Sequence, residues 1–288
     1  MGSVAAAMHA NGFKVTGSDE NVYPPMSTFL EQQGIEIFPG YKASNIPESA
    51  ELILVGNAIS RGNEEAEAAL ERKLLYVSLP EVLKEHFLRG RRNLVVSGTH
   101  GKTTTSSILA WLLKSSGVDP SYMIGGIPRN LGQGAAFTDS DFVVLEGDEY
   151  DTAFFDKRSK FLHYLPEVVI INNIEFDHAD IYDSLDEIKL TFKRLLNIVP
   201  RNGVALVNGD CANSMDVSQG APAPVKTVGL GEHCDLQVTN IDYGSEQTSF
   251  DLDGETYVLP MAGVFNVRNA AMAISAARFS GFTADQIR

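Results

Sequence analysis

The chain is 288 residues long and 44% apolar, with a formal net charge of −14 and two cysteines. The length and apolar content suit about two domains with packed cores, and so acidic a chain excludes nucleic acid or an anionic membrane as its natural partner. Cys211 and Cys234 are too few for a disulfide framework and fit a reducing cytoplasm, and no apolar run approaches the ~20 residues of a membrane span.

The first 90 residues read as alternating helix and strand. Val4 to Ala10 predicts a helix, too short and too poor in basic residues to be a signal segment. Phe13 to Asp19 predicts a strand, Ser27 to Gln33 a helix closed by Gly34, Glu51 to Gly56 a strand, and Glu64 to Arg72 and Pro80 to Phe87 two helices. Such alternation implies a Rossmann-like parallel sheet with helices on both faces. An acidic residue at a strand end of such a unit often meets a ribose hydroxyl, a role open to Asp19, which serves equally as a polar strand terminator. A complete unit of this kind begins with a strand and a glycine-rich turn, whereas Met1-Gly2-Ser3 leads directly into helix. The first strand is therefore expected to lie outside this sequence. Arg89-Gly-Arg-Arg-Asn93 reads as a solvated linker and places the domain boundary near residue 90, giving domains 1–90 and 91–288.

The second domain is organised around Leu94-Val-Val-Ser-Gly-Thr-His-Gly-Lys-Thr-Thr-Thr105. An apolar run, a loop with Gly98 and Gly101, and a helical pattern from Lys102 form the strand–loop–helix of a P-loop. Glycines admit backbone N–H groups to phosphate oxygens, and the helix N-terminus favours the anion. Lys102 is expected to reach the β- and γ-phosphates of a nucleoside triphosphate, and Thr103 to join an Mg²⁺ shell. The general pattern asks for a glycine at position 96, where Val96 stands.

Gly125 to Gly134 is a glycine-rich loop that serves ligand contacts or turns alike. Asp141 to Glu146 is a strand whose last residue is placed for a second Mg²⁺-directed carboxylate, with Asp148, Glu149 and Asp151 as competitors. The strand Val168 to Asn172 opens into Asn173-Ile-Glu-Phe-Asp-His178, where a neutral imidazole can ligate a metal. Glu187 to Ile198 is a helix carrying Lys189, Lys193 and Arg194, and Val204 to Asn208 is a further strand. Val225 to Leu259 predicts a small antiparallel β insertion. Gly263 to Ala271 opens a helix with Asn266 and Asn269 on one face: capping explains Asn266, whereas Asn269 asks for a ligand.

Gly98-Thr-His-Gly-Lys-Thr-Thr104, Asn173-Ile-Glu-Phe-Asp-His178 and Asn266-Val-Arg-Asn-Ala-Ala271 together resemble the Mur ligase family, over almost the whole chain. These are ATP-dependent amide ligases of peptidoglycan synthesis, and their P-loop lacks the first glycine, which accounts for Val96. The resemblance implies ATP and Mg²⁺ as cofactors. It implies phosphate contacts from Gly98, Thr99, His100, Gly101, Lys102, Thr103 and Thr104, metal ligation by Thr103, Glu146 and His178, and adenine contact by Asn269. Lys102, Glu146 and His178 are the implied catalytic residues, and Asp19 and Asn57 the implied contacts to a UDP-sugar. Many members carry a carbamylated lysine after the His motif; Lys189 and Lys193 are the two candidates for a counterpart here, and the resemblance leaves open whether the muramate-specific members use one. Asn21 to Ser27, Gly56 to Asn63 and above all Phe154 to Phe161 resemble the members that join UDP-N-acetylmuramate to the recycled tripeptide L-alanyl-γ-D-glutamyl-meso-diaminopimelate. Members that add L-alanine to the same sugar nucleotide are the alternative. The family also implies a C-terminal acceptor domain beyond Arg288.

Overall fold

The computed structural model describes residues 1–176 and 182–288, and the chain divides into two compact units: 1–87 with 151–158, and 88–150 with 159–288. The first unit runs α1 (Gly2–Ala10), β1 (Thr16–Asp19), α2 (Met26–Gln32), β2 (Glu36–Pro39), β3 (Ile53–Val55), α3 (Glu64–Glu71), β4 (Tyr76–Ser78) and α4 (Leu79–Leu83). Two short parallel ladders form, β1 with β2 and β3 with β4. Strands β2 and β4 are too short and too half-exposed to announce themselves by hydrophobic periodicity. Local chemistry sets the helix starts. Asn63 Oδ1 accepts the Glu65 and Ala66 amides (3.0 and 3.1 Å) ahead of α3, and Glu81 reaches back to the Ser78 amide at 2.8 Å ahead of α4.

The second unit opens with β5 (Arg92–Ser97), the helix α5 (Lys102–Ser115), β6 (Ser121–Met123), β7 (Ala135–Ala136) and β8 (Phe142–Glu146). The chain then forms a hairpin, β9 (Asp151–Ala153) and β10 (Asp156–Ser159), whose residues 151–158 belong to the first unit. Within that unit the Phe155 ring meets Tyr76 edge-on at 4.9 Å. The second unit resumes with β11 (Val168–Ile171), α6 (Leu185–Asn197), β12 (Val204–Asn208), α7 (Ala212–Ser218), β13 (Val225–Gly229), β14 (Leu236–Tyr243), β15 (Thr248–Leu252), β16 (Glu255–Leu259), α8 (Val264–Phe279) and α9 (Ala284–Ile287).

Ten strands form one sheet in the order β16-β15-β14-β13-β12-β11-β5-β8-β6-β7. The P-loop strand β5 lies inside it, parallel to both β8 and β11, with Val96 opposite Glu146 and Ser97 opposite Ile171. Its residues Asn93 to Ser97 are buried, as an interior parallel strand requires. The antiparallel region is narrower than the sequence predicts: β13 pairs parallel with β12, and within 225–259 the antiparallel pairing runs from β14 to β16. Those strands also extend the central sheet instead of forming a separate insertion, because β14 pairs parallel with β13.

Helix α6 buries one stripe, Ile188, Thr191, Phe192, Leu195 and Leu196, at helical spacing. Helix α8 is different. Ala270, Ala271, Ala273, Ala276 and Ala277 are all buried, and these small side chains share one core with Leu109, Ala110 and Leu113 of α5. Among the described residues no helix is long and apolar enough to cross a membrane.

At the start of α3, the Arg61 guanidinium donates to Glu67 at 2.9 and 3.0 Å, and the Gly62 amide donates at 2.7 Å. These contacts, the guanidinium first, hold the Glu67 carboxyl down at about 2, against an ordinary 4.5. A depressed folded value means that the contribution is present above 4.5 and is lost as the pH falls through about 2. A carboxyl NMR titration of Glu67 should therefore show a midpoint near 2; a midpoint near 4.5 would show that the pair does not form in solution.

Candidate functional site

The site is built at the ends of β5, β8 and β11. Leaving β5, the chain turns at Gly98 (φ +125°) and Gly101 (φ +80°), a region that L side chains rarely adopt. Space adds a second constraint. A Cβ at Gly98 would lie 3.0 Å from the backbone of Asn172 and Asn173, and one at Gly101 would lie 2.5 Å from Asn269 Oδ1. The loop is stitched to the segment after β11. The Thr99 amide donates to Asn173 O (2.9 Å), the His100 amide to Asn173 Oδ1 (2.8 Å), and the Glu175 amide to Thr99 Oγ1 (3.0 Å).

Lys102 opens α5, and its ammonium donates to Gly98 O (2.8 Å), Thr99 O (3.2 Å) and Glu149 Oε1 (3.0 Å). Thr103 donates to Glu146 Oε1 at 2.8 Å, and the Gly125 amide donates to Glu146 Oε2 at 2.7 Å. The glycine-rich loop after β6 thus approaches the same carboxylate, and a Cβ at Gly125 would come within 3.2 Å of both of its oxygens. Thr104 follows in the first turn of α5, half-buried and without a side-chain hydrogen bond among the described residues.

Geometry separates the four acidic residues that sequence leaves in competition. Glu146 alone takes the Thr103 hydroxyl, Asp148 pairs with Lys160 (2.7 Å), Asp151 pairs with Lys157 (2.8 Å), and Glu149 reaches Lys102. Tyr164 is fully buried nearby. Burial first, then the negative charge of Asp148 and Glu146, pushes its hydroxyl well above the ordinary range, so it stays neutral.

Beside the loop lies a pocket of about 470 Å³, lined by His100, Gly101, Asn172, Phe265, Arg268 and Asn269 among others. That volume suits one nucleoside-sized ligand. Asn269 makes no side-chain hydrogen bond among the described residues, leaving its amide available to the pocket. Asn172 Oδ1 is buried without a partner among them, while its Nδ2 donates to His100 O and Thr105 Oγ1. Asn266 does not cap: its Nδ2 donates to Ala262 O at 2.8 Å, and Gly263 occupies the cap position.

His178 lies outside the described residues. Lys189 is tied to Asp216 at 3.2 Å, and Lys193 is exposed. Asp19 and Asn57 belong to the first unit. Asp19 is exposed at the end of β1 and accepts the Asn21 amide at 2.8 Å, while Asn57 is exposed in a turn after β3. Two residues at the site were not singled out by the sequence: Glu149 stands there only as one of four competing carboxylates, and Arg268, a pocket side chain whose guanidinium pairs with Asp210 at 3.3 Å, only as part of a motif. Cys211 and Cys234 are both free thiols.

A buried parallel strand, a loop held open by glycines, a lysine at the helix start and a carboxylate on the adjacent strand define a P-loop-type α/β unit. Two family models match the chain, "Mur ligase family, catalytic domain" over residues 1–91 and "Mur ligase middle domain" over residues 96–277. The chain belongs to the Mur ligase family. It is 44% identical over 285 residues to the Escherichia coli (strain K12) UDP-N-acetylmuramate–L-alanyl-γ-D-glutamyl-meso-2,6-diaminoheptandioate ligase, covering 98% of this chain and 62% of that protein. The UDP-N-acetylmuramate–L-alanine ligase of Psychrobacter sp. is 35% identical, with 100% of this chain and 60% of that protein covered. A crystal structure of the UDP-N-acetylmuramate:L-alanyl-γ-D-glutamyl-meso-diaminopimelate ligase from Neisseria meningitides superposes with a TM-score of 0.91 at 39% identity, covering 100% of this chain and 93% of that one. The chain therefore spans about 62% of the length of the first of these curated relatives.

Gly101→Ala tests how tightly the loop and α8 interlock. A side chain there combines an unfavourable φ of +80° with a 2.5 Å approach to Asn269 Oδ1. The substitution should cost about 2 kcal/mol in a denaturant melt; an unchanged midpoint would contradict the interlock.

Proposed function

We propose that the chain is the nucleotide-binding part of an ATP-dependent amide ligase that joins UDP-N-acetylmuramate to the tripeptide L-alanyl-γ-D-glutamyl-meso-diaminopimelate. One observation carries the nucleotide reading: Lys102 at the mouth of a glycine-shaped loop, with the Thr103 hydroxyl 2.8 Å from Glu146. The acceptor reading is supported by the higher identity to the E. coli tripeptide ligase than to the Psychrobacter alanine ligase, 44% against 35%.

In this reading the 98–104 loop cradles the phosphates of ATP, and Lys102 offsets the charge on the γ-phosphoryl group as the muramate carboxylate attacks it, breaking the bond to the β-phosphate oxygen and giving an acyl phosphate and ADP. The amine of the tripeptide then displaces phosphate to form the amide. Thr103 and Glu146 offer hard oxygen donors, the donor set that Mg²⁺ prefers, and His178 is the further metal ligand by motif position. Mg²⁺ there supplies neutralisation of phosphate charge. Asn269 faces the base, in a pocket of nucleoside size. Asp19 and Asn57 serve the UDP-sugar, and the reaction takes place in the cytoplasm. The 1–90 and 91–288 division follows the same logic, with sugar nucleotide on the first part and ATP on the second.

The test uses the full-length protein with ATP, Mg²⁺ and UDP-N-acetylmuramate, comparing tripeptide with L-alanine through phosphate release and product mass. Faster turnover with the tripeptide is expected. Preference for L-alanine would move the protein to the de novo addition of the first residue.

A further inference from the structure

Lys102 is not free to meet a phosphate as it stands. An ammonium has three N–H donors, and all three have acceptors within the loop region: Gly98 O at 2.8 Å, Thr99 O at 3.2 Å and Glu149 Oε1 at 3.0 Å. The first two are carbonyls of the loop itself. The third is a carboxylate whose side chain is only 3% exposed, facing a lysine that is only 14% exposed. This is not a loose surface pair.

Glu149 is also anchored from behind. The Ser159 hydroxyl donates to its carbonyl at 2.8 Å and the Tyr182 hydroxyl donates to the same oxygen at 2.7 Å. Both donors are buried, so the backbone that carries the carboxylate is pinned. Of the acidic residues in the 146–151 segment, Glu149 is the one that engages Lys102 instead of Thr103 or a more distant lysine.

We propose that Glu149 is a positioning residue acting through Lys102: an internal counter-ion that holds the ammonium against the loop carbonyls and competes with nucleotide phosphate for it. The inference rests on the nucleotide reading above and goes beyond it. An incoming phosphate must take at least one donor from this set, and it does so against the negative charge of a buried carboxylate. In water such repulsion would be weak, but in a site of low effective dielectric it is not. Glu149 thus loosens ground-state nucleotide binding and keeps Lys102 aimed along the loop, where charge develops on transfer.

The experiment is calorimetric titration of the full-length protein and its Glu149→Gln and Glu149→Asp variants with ATP, ADP and adenosine, each in Mg²⁺. Glutamine keeps the shape and a hydrogen-bond acceptor but removes the charge. Glu149→Gln should tighten ATP and ADP by about tenfold and leave adenosine unchanged, because adenosine has no phosphate to compete. Glu149→Asp, which keeps the charge, should stay close to the parent. A purely structural role would shift all three ligands together. Equal or weaker ATP binding by Glu149→Gln, or an equal shift for adenosine, would overturn the proposal. Absence of ATP binding by the full-length parent protein would overturn the nucleotide reading with it.

Discussion

Everything at the candidate site depends on one steric constraint: the loop after β5 has no room for a Cβ at Gly98 or Gly101. A Cβ at Gly98 would crowd the backbone of Asn172 and Asn173, and one at Gly101 would crowd Asn269. Both adopt positive φ, so conformation and space exclude a Cβ at the same two positions. Backbone amides that a bulkier residue would hold away are thereby brought against the segment after β11, and the loop becomes a fixed cradle.

The sheet supplies the frame for that cradle. Because β5 lies between β8 and β11 in parallel register, its last residues stand level with Glu146 on one side and Ile171 on the other. A carboxylate at the end of β8 therefore arrives beside Thr103 without any long-range adjustment. The alanine-rich side of α8 shares the core of α5, and this places Asn269 over Gly101 at the pocket edge. Close helix packing and a polar pocket residue are two consequences of the same helix.

The strand–loop–helix around Lys102 was legible because it concentrates three strong local signals: a continuous apolar run, two glycines and a helical period. Glu146 was legible as a strand terminator, though only geometry separates it from Asp148, Glu149 and Asp151, which differ in pairing and not in type. Antiparallel strands were visible in the sequence between Val225 and Leu259, whereas their attachment to the central sheet was not. Pairing of β13 with β14 is a long-range choice with no local mark. Nothing in the sequence marks residues 151–158 as a hairpin, because its place in the first unit depends on contacts such as Phe155 with Tyr76, distant in sequence.

The most direct test is a crystal structure of this chain with Mg²⁺ and a non-hydrolysable ATP analogue. The account predicts the base in the pocket beside Asn269, the phosphates along 98–104, and the metal between Thr103 and Glu146. An analogue bound elsewhere, or a base outside that pocket, would contradict it.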